Sequence, residues 1–285
     1  MAAPLPARAG VGFKLEHAGP ILDERPDVGW FEVHPENYMV AGGPRHATLA
    51  AIRERWPLSL HGVGLSLGSA APPDPDHLAQ LKALVERYDP ASVSEHVAWV
   101  AHGDLYFGDL LPVTIDDDSL AHLCANIERT QAALGRRILV ENPSHYLRPE
   151  GDARAELDFL GAMAKRTGCG LLVDLDNITI SAANVGYDAE AYVDGLPAEL
   201  IGEVHLAGHV EDEGDSELLI DTHSRPVPPD VWRLFRRLIA RTGPLPTLVE
   251  WDNDVPAWPV LQAEMHKAEI CLDAYAPRAS RRRSA

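Results

Sequence analysis

Cysteine is scarce in this chain: the 285 residues contain three, Cys124, Cys169 and Cys271, widely separated and without a CxxC pair. That spacing offers neither a disulfide framework nor a thiolate metal site, and it suits a reducing compartment in which the thiols act as core filler. Long apolar runs are missing too. No stretch approaches the ~20 residues of a membrane span, and residues 1–10 are Ala/Pro-rich without the apolar centre of a signal peptide. A cytoplasmic protein without a membrane partner is expected. Positive charge is also short, with 25 Lys and Arg against 43 Asp and Glu and a net charge of -18. Nucleic-acid binding rests on neutralising phosphates with basic side chains, so no nucleic-acid partner is expected. Arg281, Arg282 and Arg283 lie in a polar tail after Pro277 and read as a solvated chain end.

What the chain does have is enough apolar residue, 46%, to bury one large core. Short β-rich runs alternate with longer helical patterns. The runs fall at residues 11–16, 30–34, 58–61, 92–96, 138–141, 170–174, 202–206 and 246–250. The intervening helices are expected at 44–56, 76–88, 118–134, 156–167, 229–241 and 256–272. In the third of these, Leu120, Leu123, Ile127 and Leu134 recur at near-helical spacing, acidic residues lead, and Gly135 follows as a stop. Gly168 and Gly243 stand in the same place after two other helices. Alternating β and α elements require a parallel sheet, either a closed barrel or an open doubly wound sheet. No Gly-rich phosphate fingerprint follows the first strand, which removes the main reason for the open sheet. The expected fold is α/β, a single (β/α)8 barrel over residues 11–275, with an N-terminal extension at 1–10 and a polar basic tail at 276–285.

The ends of the strands carry the chemistry. In order they present Glu32 and His34, His61, Glu95 and His96, Glu141, Asp174, His205 and Glu250. In a barrel these C-terminal ends converge on one mouth, where active sites are built. Each residue alone is as well read as a hydrogen-bonded polar cap. Together, without cations, the carboxylates would repel one another in a partly desolvated mouth, at several kcal/mol per unpaired buried charge. Just beyond the strand ends lie Asn177, His209, Asp221 and His223. Imidazole and carboxylate without thiolate suit Fe(II), Mn(II) or Zn(II), and about ten candidates exceed the four ligands of one structural zinc. More than one ion is expected. His46, His77 and His122 fall in helical segments and read as surface residues, whereas Trp99, Trp232, Trp258, Met39, Met163 and Met265 read as packing.

These residues lie in eight ordered motifs: FEVHPENY at 31–38, LHGVGLSLGS at 60–69, SEHVAW at 94–99, ENPSHYL at 141–147, LLVDLDN at 171–177, VHLAGH at 204–209, DTHSRPV at 221–227 and LVEWD at 248–252. From about Gly12 to Asp273 the chain resembles the multinuclear non-haem iron-dependent oxidative enzymes, which include the methanobactin-biosynthesis oxidase. The resemblance implies a xylose-isomerase-like TIM barrel with two or three irons, ferrous and ferric. It also implies O2-dependent modification of a residue, usually cysteine, in a ribosomally made precursor peptide, often with a separate partner protein that presents the peptide. It assigns His61, His96 and Glu141 to one iron. A second falls to Glu141 as a bridge with Asp174, His205 and Glu250, and a third to Asn177, His209, Asp221 and His223. Glu32, His34 and Glu95 are then supporting or substrate-facing residues. Asp176 departs from the Asn of many relatives and places an added charge beside Asp174. The alternative from another reaction class is a divalent-metal sugar isomerase or hydrolase; a third is a non-catalytic metal-holding protein.

Overall fold

The computed structural model describes residues 3–103, 105–147, 153–214 and 217–276, so the arginines of the expected basic tail lie outside the described residues. Eight parallel strands close on themselves: β1 (Ala9–Gly12), β2 (Phe31–Val33), β3 (Leu58–His61), β4 (Ser92–His96), β7 (Leu139–Glu141), β8 (Gly170–Asp174), β9 (Ile201–Leu206) and β12 (Thr247–Val249). Closure runs through β1, whose Val11 pairs with Val249 on one side and Phe31 on the other. The barrel expected from the alternation of elements is therefore the observed one.

Each strand boundary agrees with the sequence reading to within a residue or so except at β1, which starts at Ala9 and stops at Gly12 before a 3-10 turn at Leu15–His17, whereas helix ends differ by up to three residues. Gly10 permits this early start: a Cβ there would lie 2.6 Å from the Trp30 ring. Two short antiparallel ribbons were not legible, β5 (Trp99–His102) with β6 (Leu105–Leu111), and β10 (Val210–Glu211) with β11 (Leu219–Ile220). Both follow barrel strands whose ends belong to the site.

The expected helices are present as α2 (Pro44–Arg53), α3 (Pro75–Tyr88), α4 (Asp117–Leu134), α5 (Ala153–Thr167), α8 (Pro229–Thr242) and α9 (Trp258–Tyr275). Three shorter ones, α1 (Ala18–Glu24), α6 (Leu175–Ser181) and α7 (Ala189–Gly195), fall below the length at which periodicity is readable. Asp116 caps α4 by accepting from Ser119 N at 2.7 Å, and Gly135 ends it at φ 66°. Gly168 and Gly243 terminate their helices with φ 71° and 75°.

One apolar core joins strands and helices, with Val140, Val173 and Val204 of the barrel packed among Leu123, Met163 and Phe235 of the outer ring. Cys124 and Cys169 are buried in it as free thiols. His46 is not the surface residue its helical context suggests. It is buried, with Nδ1 2.6 Å from the Tyr88 hydroxyl and Nε2 2.9 Å from the Val40 carbonyl. His122 is exposed and His77 half-buried.

Candidate metal centre

Side chains alternate along a strand, so the last inward position of each barrel strand faces the same axial space. His61 of β3, His96 of β4 and Glu141 of β7 meet there. Glu141 Oε2 lies 3.1 Å from His61 Nε2 and 3.0 Å from His96 Nε2, while the two imidazole nitrogens are 3.2 Å apart. The opposite nitrogens are tied back: His61 Nδ1 sits 2.8 Å from Ser94 Oγ, and His96 Nδ1 donates to the Gly62 carbonyl at 3.0 Å. Each ring is thus held from behind with Nε2 turned inward.

The same construction recurs around the mouth. Asp174 spends Oδ1 on the Asn177 amide, capping α6 at 2.7 Å, and leaves Oδ2 unpartnered. Asn177 donates its side-chain amide to Glu141 Oε1 and the Asn142 carbonyl at 3.1 and 3.0 Å, leaving Oδ1 unpartnered. Ser144 Oγ donates to Asp221 Oδ2 at 2.9 Å, so Asp221 Oδ1 faces His223 Nε2 at 2.8 Å. Glu141, Asp174 and His205 each offer a ligand atom within 4.8 Å of the others, as do His61, His205 and Glu250. Glu250 Oε2 lies 2.9 Å from His205 Nδ1 and 3.4 Å from His223 Nδ1, so it stands between two ligand sets. His223 holds this position with φ 46°, a left-handed conformation unusual for a side chain of its size.

Among the described residues, buried polar atoms without a hydrogen bond include Glu141 Oε2, Asp174 Oδ2, Asn177 Oδ1, Asp221 Oδ1 and His223 Nε2. Buried polar atoms are ordinarily paired, and this many in one place is the pattern of a site that expects cations. The charges say the same. Burial opposes charge on His96, His205 and His223, yet facing carboxylates hold all three well above the usual histidine range. Burial, aided by Glu141 and Asp176, pushes Asp174 well above the carboxylate range. Nitrogen and oxygen donors of this kind, without thiolate, fit first-row divalent metals.

Of the remaining sequence candidates, Glu95 is not free to meet a ligand, since its oxygens accept from the backbone of Leu65 (2.6 Å) and His96 (2.8 Å). His34 approaches Asp252 Oδ2 at 3.2 Å, and although burial opposes its charge, Asp252 carries its pKa up to about 9. Lys14 forms a 2.5 Å ion pair with the other Asp252 oxygen. His209 Nδ1 lies 2.6 Å from Asp176 Oδ1.

Sequence reading missed Glu203 and Asp252. Glu203 precedes His205 by two on β9, so the same alternation that turns His205 inward turns Glu203 inward, one layer deeper. There it is fully buried beside Glu32, with Oε1 3.6 Å from His205 Nε2. It also missed His145, buried with Nε2 2.6 Å from Glu156, whose other oxygen accepts from Tyr192 at 2.5 Å. This clamp fixes the segment that brings Ser144 and Tyr146 to Asp221. Two cavities open beside the centre. One of about 200 Å³ is lined by His96, Asn177, Asp221, His223 and Leu110 of β6, and one of about 240 Å³ by Lys14, Glu32, His34 and Tyr38.

Comparison with solved structures places the same fold around unrelated activities. Endonuclease IV from Thermus thermophilus superposes with a TM-score of 0.59 at 17% identity, over 94% of this chain and 98% of that one. A xylose isomerase domain protein from Alicyclobacillus acidocaldarius gives 0.55 at 18%, over 93% and 98%. Among proteins similar in sequence, a UPF0276 protein of Caulobacter vibrioides is 55% identical over 264 residues, 93% of this chain and 94% of the relative. A UPF0276 protein of Bordetella bronchiseptica is 49% identical over 270 residues, 94% and 93% of the two chains. Residues 8–273 match the family described as RiPP precursor modification enzyme MbnB/TglH/ChrH, and the chain belongs to that family.

Proposed function

We propose that this protein is an O2-using, multinuclear iron oxidase that modifies a cysteine of a ribosomally synthesised precursor peptide. The single observation carrying the metal part is the set of buried, unpartnered donor atoms at the barrel mouth. The peptide part rests on family membership. His61, His96 and Glu141 would hold one ion; Glu141, Asp174, His205 and Glu250 a second; Asn177, His209, Asp221 and His223 a third. When bound, iron supplies one-electron redox chemistry with O2 and a Lewis-acid seat that lowers the pKa of a thiol.

The chain's own contribution is orientation and protection. Ser94 and the Gly62 carbonyl keep His61 and His96 aimed inward, and the Asp174 cap keeps Asn177 in place. The cavity beneath Leu110 gives an extended peptide access to the His96 and His223 side of the centre. On the other side, burial opposes charge on the Asp252 carboxylate, yet His34 and Lys14 hold it ionised, with its pKa below the usual range, so it orients the proton carried by His34. A separate protein that presents the peptide is part of this reading. No helix is long and apolar enough to cross a membrane among the described residues, and the reading places the reaction in the cytoplasm.

The test is elemental analysis of anaerobically purified protein, a Mössbauer spectrum, and O2 uptake with a cysteine-containing precursor peptide. Two or three irons per chain with ferrous and ferric signals, and uptake that depends on the peptide, support the reading. A single zinc or manganese that iron reconstitution does not replace, with no O2 uptake, sinks it in favour of a metal-dependent isomerase or hydrolase.

A further inference from the structure

Asp176 enters none of the ligand sets above, yet it is fully buried and has one short contact, Oδ1 to His209 Nδ1 at 2.6 Å. We propose that Asp176 is the positioning residue of the outermost ligand set: it pins the proton of His209 on Nδ1 and so presents Nε2 as the donor atom. The inference rests on the metal reading above. Neutral imidazole has one N–H, and a metal takes the bare nitrogen, so the partner of the other nitrogen decides the ligand atom. Carboxylates behind ligating histidines fix both tautomer and ring orientation and raise the basicity of the ligand.

Three further features support a designed contact. Asp176 belongs to the first turn of α6, the seven-residue helix that Asp174 caps and that also carries Asn177. One rigid element therefore presents Asp174 to the second ligand set, Asn177 to the third, and Asp176 to the back of His209. The backbone preceding His209 is fixed independently, because Gly208 runs against the Arg225 and Pro226 carbonyls and its own carbonyl accepts from Ser224 N at 3.1 Å. Finally, the second oxygen of Asp176 is buried without a partner. A neutral amide could hold the loop at smaller desolvation cost, so a carboxylate here serves the imidazole rather than the fold.

The experiment titrates Co(II) into the metal-free full chain, read by calorimetry and by d–d absorption, for the natural protein, Asp176→Ala and Asp176→Asn. Imidazole 15N shifts of His209 are recorded in the metal-free state. The expected result is a loss of affinity of about 10- to 100-fold in one class of sites for Asp176→Ala, the other classes and the melting temperature holding. Asp176→Asn, whose Oδ1 accepts the same proton, should recover part of the loss. His209 should be protonated on Nδ1 in the natural protein and lose that preference in Asp176→Ala. Equal titrations for the natural chain and Asp176→Ala overturn the positioning role alone, as does a uniform loss in all classes with a lowered melting temperature. A natural chain that binds no Co(II) overturns the metal reading with it.

Discussion

Asn177 of α6 donates from Nδ2 to Oε1 of Glu141, at the end of β7, at 3.1 Å, and this one bond orients two side chains of the centre. It turns Glu141 Oε2 toward His61 and His96, and it leaves Asn177 Oδ1 facing inward with no partner. Asn177→Asp would replace the donor by a second carboxylate against Glu141. In metal-free protein the expected cost is about 1 to 3 kcal/mol, from the lost donor and the added repulsion. Urea unfolding in the presence of a chelator measures it, and an unchanged midpoint would contradict the contact.

On the proposed reading Glu141 is shared by the first and the second ligand sets, whereas Asp221 and His223 belong to the third. Glu141→Gln should therefore lose metal from two sets, and His223→Ala from one. Elemental analysis after identical reconstitution compares them. Equal losses in the two variants would remove Glu141 from its shared position.

Much of this was legible from residue order. The eight strands, their helices and the glycine stops follow from hydrophobic period and capping chemistry, which are local. The convergence of His61, His96, Glu141, Asp174, His205 and Glu250 follows from one rule, that strand ends of a barrel meet. Glu203 escaped because it is not terminal, although its separation of two from His205 contained the signal. The β5–β6 ribbon escaped because its apolar residues do not alternate with polar ones and most of β6 is exposed, Leu105, Tyr106 and Leu110 included. His46 was misread because its burial comes from Tyr88, forty-two residues away, and no local pattern announces a long-range partner.

His46 also supplies a control. Its hydrogen bonds lie under α2 and α3, outside the centre, so His46→Ala should destabilise the fold by about 1 to 3 kcal/mol through loss of the ring's bonds to the Tyr88 hydroxyl and the Val40 carbonyl. Metal content should hold. If metal falls in proportion to stability, then losses seen in centre variants reflect unfolding rather than ligation.

Gly208 tests how the third ligand set is framed. A Cβ there would stand 2.3 Å from the Arg225 carbonyl oxygen and 2.6 Å from that of Pro226. Gly208→Ala must push the two segments apart, at about 1 to 3 kcal/mol for such overpacking, and displace His209 from Asp176. The expected variant is folded, with the third set weakened and the first intact. A Co(II) titration indistinguishable from the natural chain would show that the segment after β9 tolerates the shift.

Glu203 makes a pH-dependent contribution to the metal-free protein. Burial, reinforced by the Glu32 carboxylate, pushes its pKa up to about 7 from 4.5. A carboxyl raised on folding favours the native state while protonated, so its full contribution is present below pH 4.5 and is lost as pH climbs through about 7. At 1.36 kcal/mol per pKa unit, the span from 4.5 to about 7 sets an upper bound of about 3 kcal/mol. Glu203→Gln removes the titration but keeps the shape. Unfolding free energies in chelator at pH 5 and pH 8 should therefore fall further for the natural chain than for the variant. The facing imidazole of His205 and the Glu32 carboxylate titrate with Glu203 as one group, so the difference between the two proteins measures Glu203 together with its effect on these neighbours. Parallel pH profiles would mean that a counter-charge already neutralises this carboxylate in the chelated protein.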